Sequence, residues 1–444
     1  MVSPTAALPP LASVAALVTV GLLGLGVLLA SILGLAVLVL SSIATGFLPK
    51  VTTVHLVEAA GKGASIAATV FFSLVLIRMM EKDGVFDDLV KNVHAMCKHE
   101  EESCLTGIAI AGAGAFEGLA SFGTPATVVG PLLADAGVPK PRAGAAALTA
   151  HAPYGTLAAF GVPILVTAGI LNQAPSGILE ATIASIFPAY IVLPRAVAAV
   201  MDARVSKSAW ITIVVATLVA LAMAIEIGAP RIASPVVVLG TAIGLAWYLC
   251  HVSGEPHFKF HRKAMHGFVA YGVAVGLISA STLAHLGLPP WVALGLSTIV
   301  YAWPDLREIP PAIKEVTEEA WKELLSIVLL MVYGKLIAHT ALPDLMRPFC
   351  RYTPIAFLVG YVGEMAVGST TAVMATFASG TPFPGVTLAG AACAAAACPY
   401  NVAVAEAAVE YHGKKLARRA LYGSAFLAAP TIAWVTLAGF LGVF

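Results

Sequence analysis

Ten residues, Phe116-Glu117-Gly118-Leu119-Ala120-Ser121-Phe122-Gly123-Thr124-Pro125, interrupt a very apolar part of this chain. They bring one carboxylate, two glycines, two hydroxyls and a proline into surroundings suited to a membrane-spanning helix. Glycine and proline break the helical hydrogen-bond ladder. Backbone freed at membrane depth must then be satisfied by protein or by a water-lined cavity. A glutamate in such a place is expensive and marks a substrate or proton path. The segment therefore reads as a broken helix at a transport site.

Composition supports that setting. Of 444 residues, 59% are hydrophobic and only 11% are charged, against about 25% charged in an average soluble domain. Mean hydropathy is +0.91. The expected fold class is an all-α polytopic protein of the cell membrane, with roughly 11 to 13 membrane elements, since one span needs about 20 residues. A net charge of +1 leaves no broad electrostatic footprint for nucleic acid. Six cysteines without a CxxC pair read as small packing residues. The first apolar run lacks the charged start of a cleavable signal and reads as the first spans.

Four regions follow from hydropathy. Residues 1–50 hold N-terminal spans of a scaffold. Residues 51–205 form a first repeat with a broken segment at 112–163. Residues 206–310 are connecting spans and a loop. Residues 311–444 form a second repeat with a broken segment at 360–401. Residues 83–103 read as an interfacial helix and loop. Residues 304–322 read as a charged connector ahead of a span at 323–342. The basic clusters Lys414, Lys415, Arg418, Arg419 and Lys259, Arg262, Lys263 are expected on the cytoplasmic side.

The duplication rests on four ordered matches. Glu117 precedes Gly123-Thr124-Pro125, and Glu364 precedes Gly368-Ser369-Thr370-Thr371. A Pro-Tyr pair lies downstream of each, Pro153-Tyr154 and Pro399-Tyr400, at 36 and 35 residues from the respective Glu. Glu58 and Ser65 parallel Glu319 and Ser326, both 7 apart, and Asp88-Leu89 parallels Asp344-Leu345. Matching broken segments in two halves point to a transporter binding site.

The residue types suit a small carboxylate. Half-helices that start inside the membrane offer unpaired N–H groups and a positive dipole end. Gly123-Thr124-Pro125 and Gly368-Ser369-Thr370 would supply such starts. Glycine lets a substrate approach the backbone, and proline suits a first helical turn. Ser121, Thr124, Ser369, Thr370 and Thr371 can donate hydroxyls. Tyr154, Tyr400 and Asn401 stand at the second breaks and could complete the pocket, although Asn401 could equally satisfy kink carbonyls. Glu117 and Glu364 are proton-carrier candidates, because burial favours the neutral form of a carboxyl. His151 is a third, since an imidazole changes charge near physiological pH. Lys62, Arg78 and Lys335 read as snorkelling residues. His251, His257, His261 and His266 match no closed zinc pattern, and no metal site is expected.

With its flanks the first region continues to Gly130-Pro131-Leu132-Leu133, Ala152-Pro153 and Gly161-Val162-Pro163-Ile164. This resembles the lactate permease family, which carries L-lactate, D-lactate and glycolate, usually with protons. The resemblance runs from about residue 78 to 165 and more weakly through 345–410. It implies two inverted repeats with re-entrant hairpins and an elevator-type division into scaffold and transport domain. Two departures bear on the substrate. The run at Val367–Ala372 carries fewer amides and hydroxyls than the family's, and His151 stands where a small polar residue is expected.

The expected function is proton-coupled symport of lactate, glycolate or a related 2-hydroxy monocarboxylate. The alternatives are sodium coupling and a small-anion channel. No nucleophile–base pair suggests an enzyme, and no cofactor is expected beyond the coupling ion. The expected partners are the substrate, the lipid bilayer and a second copy in a homodimer.

Overall fold

The computed structural model describes residues 3–23, 26–49, 51–85, 88, 101–119, 124–253 and 262–444, and every regular element among them is a helix. A hairpin of α1 (Pro4–Leu22) and α2 (Val27–Thr45) precedes the long α3 (Thr53–Lys82). Next come α4 (Glu101–Leu119), α5 (Thr124–Asp135), α6 (Lys140–His151), a 3-10 turn at Ala152–Leu157, α7 (Ala158–Leu171) and α8 (Pro175–Met201). The middle of the chain forms α9 (Lys207–Ile227), α10 (Pro230–Ser253), α11 (Arg262–Leu283) and α12 (Pro290–Ala302). The last third forms α13 (Ile309–Ile337), α14 (Leu342–Cys350), α15 (Thr353–Val367), α16 (Thr370–Phe377), α17 (Pro384–Ala395), α18 (Pro399–Ala408) and α19 (Lys414–Phe440).

Nine helices among the described residues are long and apolar enough to cross a membrane. The chain is a multi-pass membrane protein. Its outward faces agree: on α9 and α10, Val215, Val219, Ile243 and Trp247 are 53–72% exposed. So large an exposed apolar face suits lipid rather than water. Two of the nine, Lys140–Leu171 and Pro384–Ala408, are not continuous rods. The 3-10 turn divides the first, and Ala396–Cys398 divides the second.

The expected connector at 304–322 is corrected: it is helical from Ile309 onward and makes the first half of α13. Pro310 sits in the first turn, where its missing N–H is unpaired in any case. Charges that suggested a loop instead pair across to α3. Arg78 hydrogen-bonds Glu319, and Lys82 pairs with Glu315. Such exposed pairs contribute about 0–1 kcal/mol each, so they set register more than stability. They place the start of α13 beside the end of α3, while Gly63 packs on Val328 further along. The two helices are antiparallel.

Other packings come in matched pairs. α8 lies on α17 and α19 on α6, while α7 lies on α16 and α18 on α5. α8 and α19 also meet each other, again antiparallel. Arg419 donates to the Val200 carbonyl at 2.7 Å, and Trp434 Nε1 donates to the Ala184 carbonyl at 2.7 Å. Glycines permit the closest approaches. A Cβ on Gly360 of α15 would stand 1.8 Å from the Thr387 carbonyl oxygen of α17, and one on Gly390 would stand 2.0 Å from the Phe357 carbonyl oxygen. Small residues at helix contacts let dispersion hold helices together where lipid removes the hydrophobic drive.

At one end of the molecule, Asp202 closes α8 and gathers two arginines. It accepts from Arg419 Nη1 at 3.0 Å and Nη2 at 2.7 Å, and it pairs with Arg142 Nη2 at 2.7 Å. The cluster ties α6, α8 and α19 together. The Arg419 hydrogen bond holds the Asp202 carboxyl below the usual carboxylate range.

Two outcomes are expected. In detergent, Gly360→Ala lowers the melting temperature clearly, by overpacking of about 1–3 kcal/mol. Gly272→Ala, which meets open space, leaves it unchanged or slightly higher. A folded-state carboxyl with a depressed pKa stabilises above its unfolded value and loses that contribution as pH falls through the folded one. Asp202→Asn therefore lowers the melting temperature at pH 7, and its gap to the unmodified protein closes below about pH 3.9.

Candidate functional site

The interrupted helices meet at one cavity of about 280 Å³. Its wall is built from both ends of the chain. α4 contributes Glu117 from its last turn, and α6 contributes its last residue, His151. α15 contributes Glu364, and the turn after it contributes Gly368 and Ser369. α16 adds Thr370 and Thr371, and α18 adds Tyr400 and Asn401. Nine residues expected at the site are thus brought together. Glu117, His151 and Glu364 are 4%, 3% and 1% exposed, so three titratable side chains sit out of bulk water around one space.

Each break has a local cause and a local remedy. Pro153 ends α6 by removing an N–H, and the chain tightens into a 3-10 turn. The Pro153 carbonyl then accepts from Tyr190 Oη at 3.1 Å and Thr156 Oγ1 at 2.9 Å. Beyond the turn, Ala159, Phe160 and Gly161 are all left-handed, with φ of 45°, 60° and 78°. Phe160 in that region is unfavourable by itself and persists because the packing around it over-determines it. Gly161 is required twice over, by its φ and because a Cβ there would meet the Pro230 carbonyl at 2.7 Å.

The second half repeats the problem with different parts. Gly368 ends α15 in the left-handed conformation, φ 74°. A Cβ on it would also stand 2.9 Å from Tyr400 Cβ. Ser369 caps α16, its Oγ accepting from the Ala372 N–H at 3.3 Å. The hydroxyl hydrogen stays available to the cavity. Asn401 Nδ2 donates to the Ala395 carbonyl at 2.8 Å. Asn401 therefore does both things expected of it, satisfying a kink carbonyl and lining the cavity.

The two halves touch across the space. A Cβ placed on Gly155 would lie 3.7 Å from Thr370 Oγ1 and 4.0 Å from Glu117 Oε1. Glu364 Oε2 has no hydrogen-bond partner although its residue is buried. A buried, unpaired carboxyl oxygen is costly unless a proton or a ligand serves it.

Other expected residues are placed elsewhere. Tyr154 is buried with its hydroxyl 3.1 Å from Thr241 Oγ1, turned toward α10 and away from the cavity lining. Pro125 is buried in the first turn of α5, outside that lining. Ser121 and Gly123 lie outside the described residues, and of Thr124 only the backbone is described. The interfacial stretch at 86–87 and 89–100, with Leu89, and the loop at 254–261, with His257, Lys259 and His261, also lie outside them.

Three contributors were not anticipated. α13 presents Lys322, Glu323 and Ser326 to the cavity, and Glu323 Oε2 is a second buried carboxyl oxygen without a partner. The available signal was the match in sequence of Ser326 to Ser65. The start of α2, from Gly26 to Leu29, also faces the space. Gly26 precedes α2 without any side-chain cap, so the N–H groups of its first turn have no helical partner. Finally, Gly155, Ala158 and Pro163 line the cavity from the broken α6–α7 connection.

Helix polarity brings both signs to the wall. α2, α16 and α18 begin at the cavity, each with a partial positive charge of about half a unit, and α6, α15 and α17 end there with about half a negative one each. Lys322 adds a full positive one. No protein-family model matches the chain, and no curated protein matches it.

Gly368 and Gly155 separate folding from site shape. Gly368→Ala is expected to lower the melting temperature, through its positive φ and the Tyr400 contact. Gly155→Ala is expected to fold as the unmodified protein does, because its new methyl meets only ordinary van der Waals contacts.

Proposed function

We propose that the protein is a secondary active transporter of lactate, glycolate or a related small 2-hydroxy monocarboxylate, driven by protons across the cell membrane. The observation that carries this reading is the shared cavity. Glu117 and Glu364, 247 positions apart in the sequence, face one buried space together with three helix starts. The uncapped first turn of α2 and Lys322 suit a carboxylate. The hydroxyls of Thr370 and Thr371 suit its 2-hydroxyl. A volume of about 280 Å³ falls just below the usual ligand-pocket range of about 300–1,000 Å³, which favours a small solute. The resemblance of residues 78–165 to lactate permeases points the same way.

Proton coupling follows from the carboxyls. A glutamate that takes up a proton removes its repulsion with a bound carboxylate, so anion and proton load together.

The chain is read as two inverted halves, 51–205 and 311–444. Support comes from the antiparallel pairing of α3 with α13 and of α8 with α19, and from the crossed packing of α8 on α17 and α19 on α6. α8 and α19 also have the same length, 27 residues. In an elevator-type division, α1–α3 and α11–α13 form the scaffold. α4–α8 and α15–α19 form the body that moves, and the cavity lies between the two.

The test is uptake of [14C]lactate into proteoliposomes, with pH and sodium gradients imposed separately. Accumulation is expected under an inward proton gradient alone. Glu364→Gln and Glu117→Gln abolish that accumulation, and Gly155→Ala slows it while keeping the fold. Uptake that requires sodium and ignores pH removes proton coupling. Equilibration without accumulation indicates a channel, and no movement of lactate or glycolate removes the substrate class.

A further inference from the structure

α13 meets the cavity with Lys322, Glu323 and Ser326. The repeat pairs Glu319 with Glu58 and Ser326 with Ser65, a constant offset of 261. At that offset Lys322 and Glu323 correspond to Gly61 and Lys62 of α3. None of these α3 residues lines the cavity. The two scaffold helices therefore carry corresponding polar positions, and only one set is in use.

The unused set is conspicuous. Lys62 lies nine residues into α3, about 14 Å along the helix from its start. Its side chain is exposed, as is that of Glu58 one turn earlier. Both belong to a helix otherwise apolar enough to cross a membrane. A charged side chain on such a helix is costly and usually marks a path. Lys62 also leans toward the central body: its Nζ is 3.9 Å from the place a Cβ on Gly169 of α7 would take.

Packing is unequal in the same sense. α16 lies against α13, whereas its counterpart α5 makes no comparable contact with α3 among the described residues. Exchanging these contacts between the halves would bring the cavity against α3. Transporters built on inverted repeats alternate by moving one part against another around a midplane site.

We propose that Lys62 and Ser65 form a second half-site for the substrate carboxylate, used when the cavity faces the opposite side of the membrane. This rests on the transporter reading above. In that state the Lys62 ammonium and the Ser65 hydroxyl take the places that Glu323 and Ser326 hold here, and supply donors to a carboxylate. The site then has a cation on each face, Lys322 in this state and Lys62 in the other.

Two measurements on the full chain in proteoliposomes test this. The first needs no substrate. Ser65→Cys and Ser326→Cys are treated with a membrane-impermeant maleimide from either side, and the labelled peptide is read by mass so that native cysteines do not interfere. Ser326→Cys is expected to react from one side and Ser65→Cys from the opposite one. Reaction of both from the same side, or none at Ser65→Cys, overturns the second half-site. The second measurement is sided lactate kinetics. Lys62→Gln is expected to raise KM about tenfold on the side where Ser65→Cys reacts, the worth of one charge-assisted hydrogen bond. It leaves the other side unchanged, and Lys62→Arg restores much of the loss. An unchanged KM on both sides overturns the proposal and leaves Lys62 a snorkelling residue. If the unmodified protein moves no carboxylate, the transporter reading fails, and the labelling arm alone decides whether α3 takes its turn at the cavity.

Discussion

Three helices, α6, α15 and α17, stop inside an apolar molecule, and the structure depends on finding partners for the backbone they leave open. In lipid an unsatisfied carbonyl or N–H costs several kcal/mol, so each stop needs a designated donor or acceptor. Tyr190 and Thr156 serve the Pro153 carbonyl. Asn401 serves Ala395, and Ser369 serves the first turn of α16. Of these partners Tyr190 comes from another helix, α8, and the others stand within six residues of the groups they serve, so the breaks are satisfied mainly locally. The cavity is what remains where the breaks face one another and some groups are left for a ligand.

Close helix packing holds that arrangement in place. Gly360 and Gly390 let α15 and α17 approach until each backbone nearly touches the other. The Asp202 cluster ties α6, α8 and α19 at one end, and the Arg78 and Lys82 pairs tie α3 to α13. The first set joins α6, α8 and α19 and the second joins α3 and α13, and one helix of each set, α6 and α13, lines the cavity.

Much of this was legible in the sequence because the signals were local and repeated. Glycine and proline inside apolar runs marked the breaks. Glu117, His151 and Glu364, which stand out in the sequence as titratable groups in apolar surroundings, line one cavity. Other features were hidden for physical reasons. The first half of α13 has its charges on one face and its apolar residues on another, so hydropathy alone reads it as a connector. Its apolar face is Ala312 and Val316, which share one buried cluster with Val75, Leu76 and Met79 of α3. α2 follows Gly26 without a side-chain cap, and the sequence Leu23-Gly24-Leu25-Gly26 carries no polar residue to announce a site. Tyr154 belongs to a real Pro-Tyr motif, yet the 3-10 turn rotates its side chain toward Thr241. The left-handed run at Ala159 and Phe160 follows from packing that no short stretch of sequence encodes.

The charges around the cavity define what kind of switch it could be. The helix starts of α2, α16 and α18 are permanent, since a backbone dipole does not titrate. Lys322 stands beside them, exposed. Glu117, Glu323 and Glu364 bring three carboxyls to the same wall. On the proposed function, a proton on Glu117 or Glu364 removes its repulsion with a bound carboxylate, and proton and carboxylate thus compete with nothing and assist each other. Coupling on that reading needs only donors for the carboxylate, at the start of α2 and on Lys322, beside carboxyls that carry the proton.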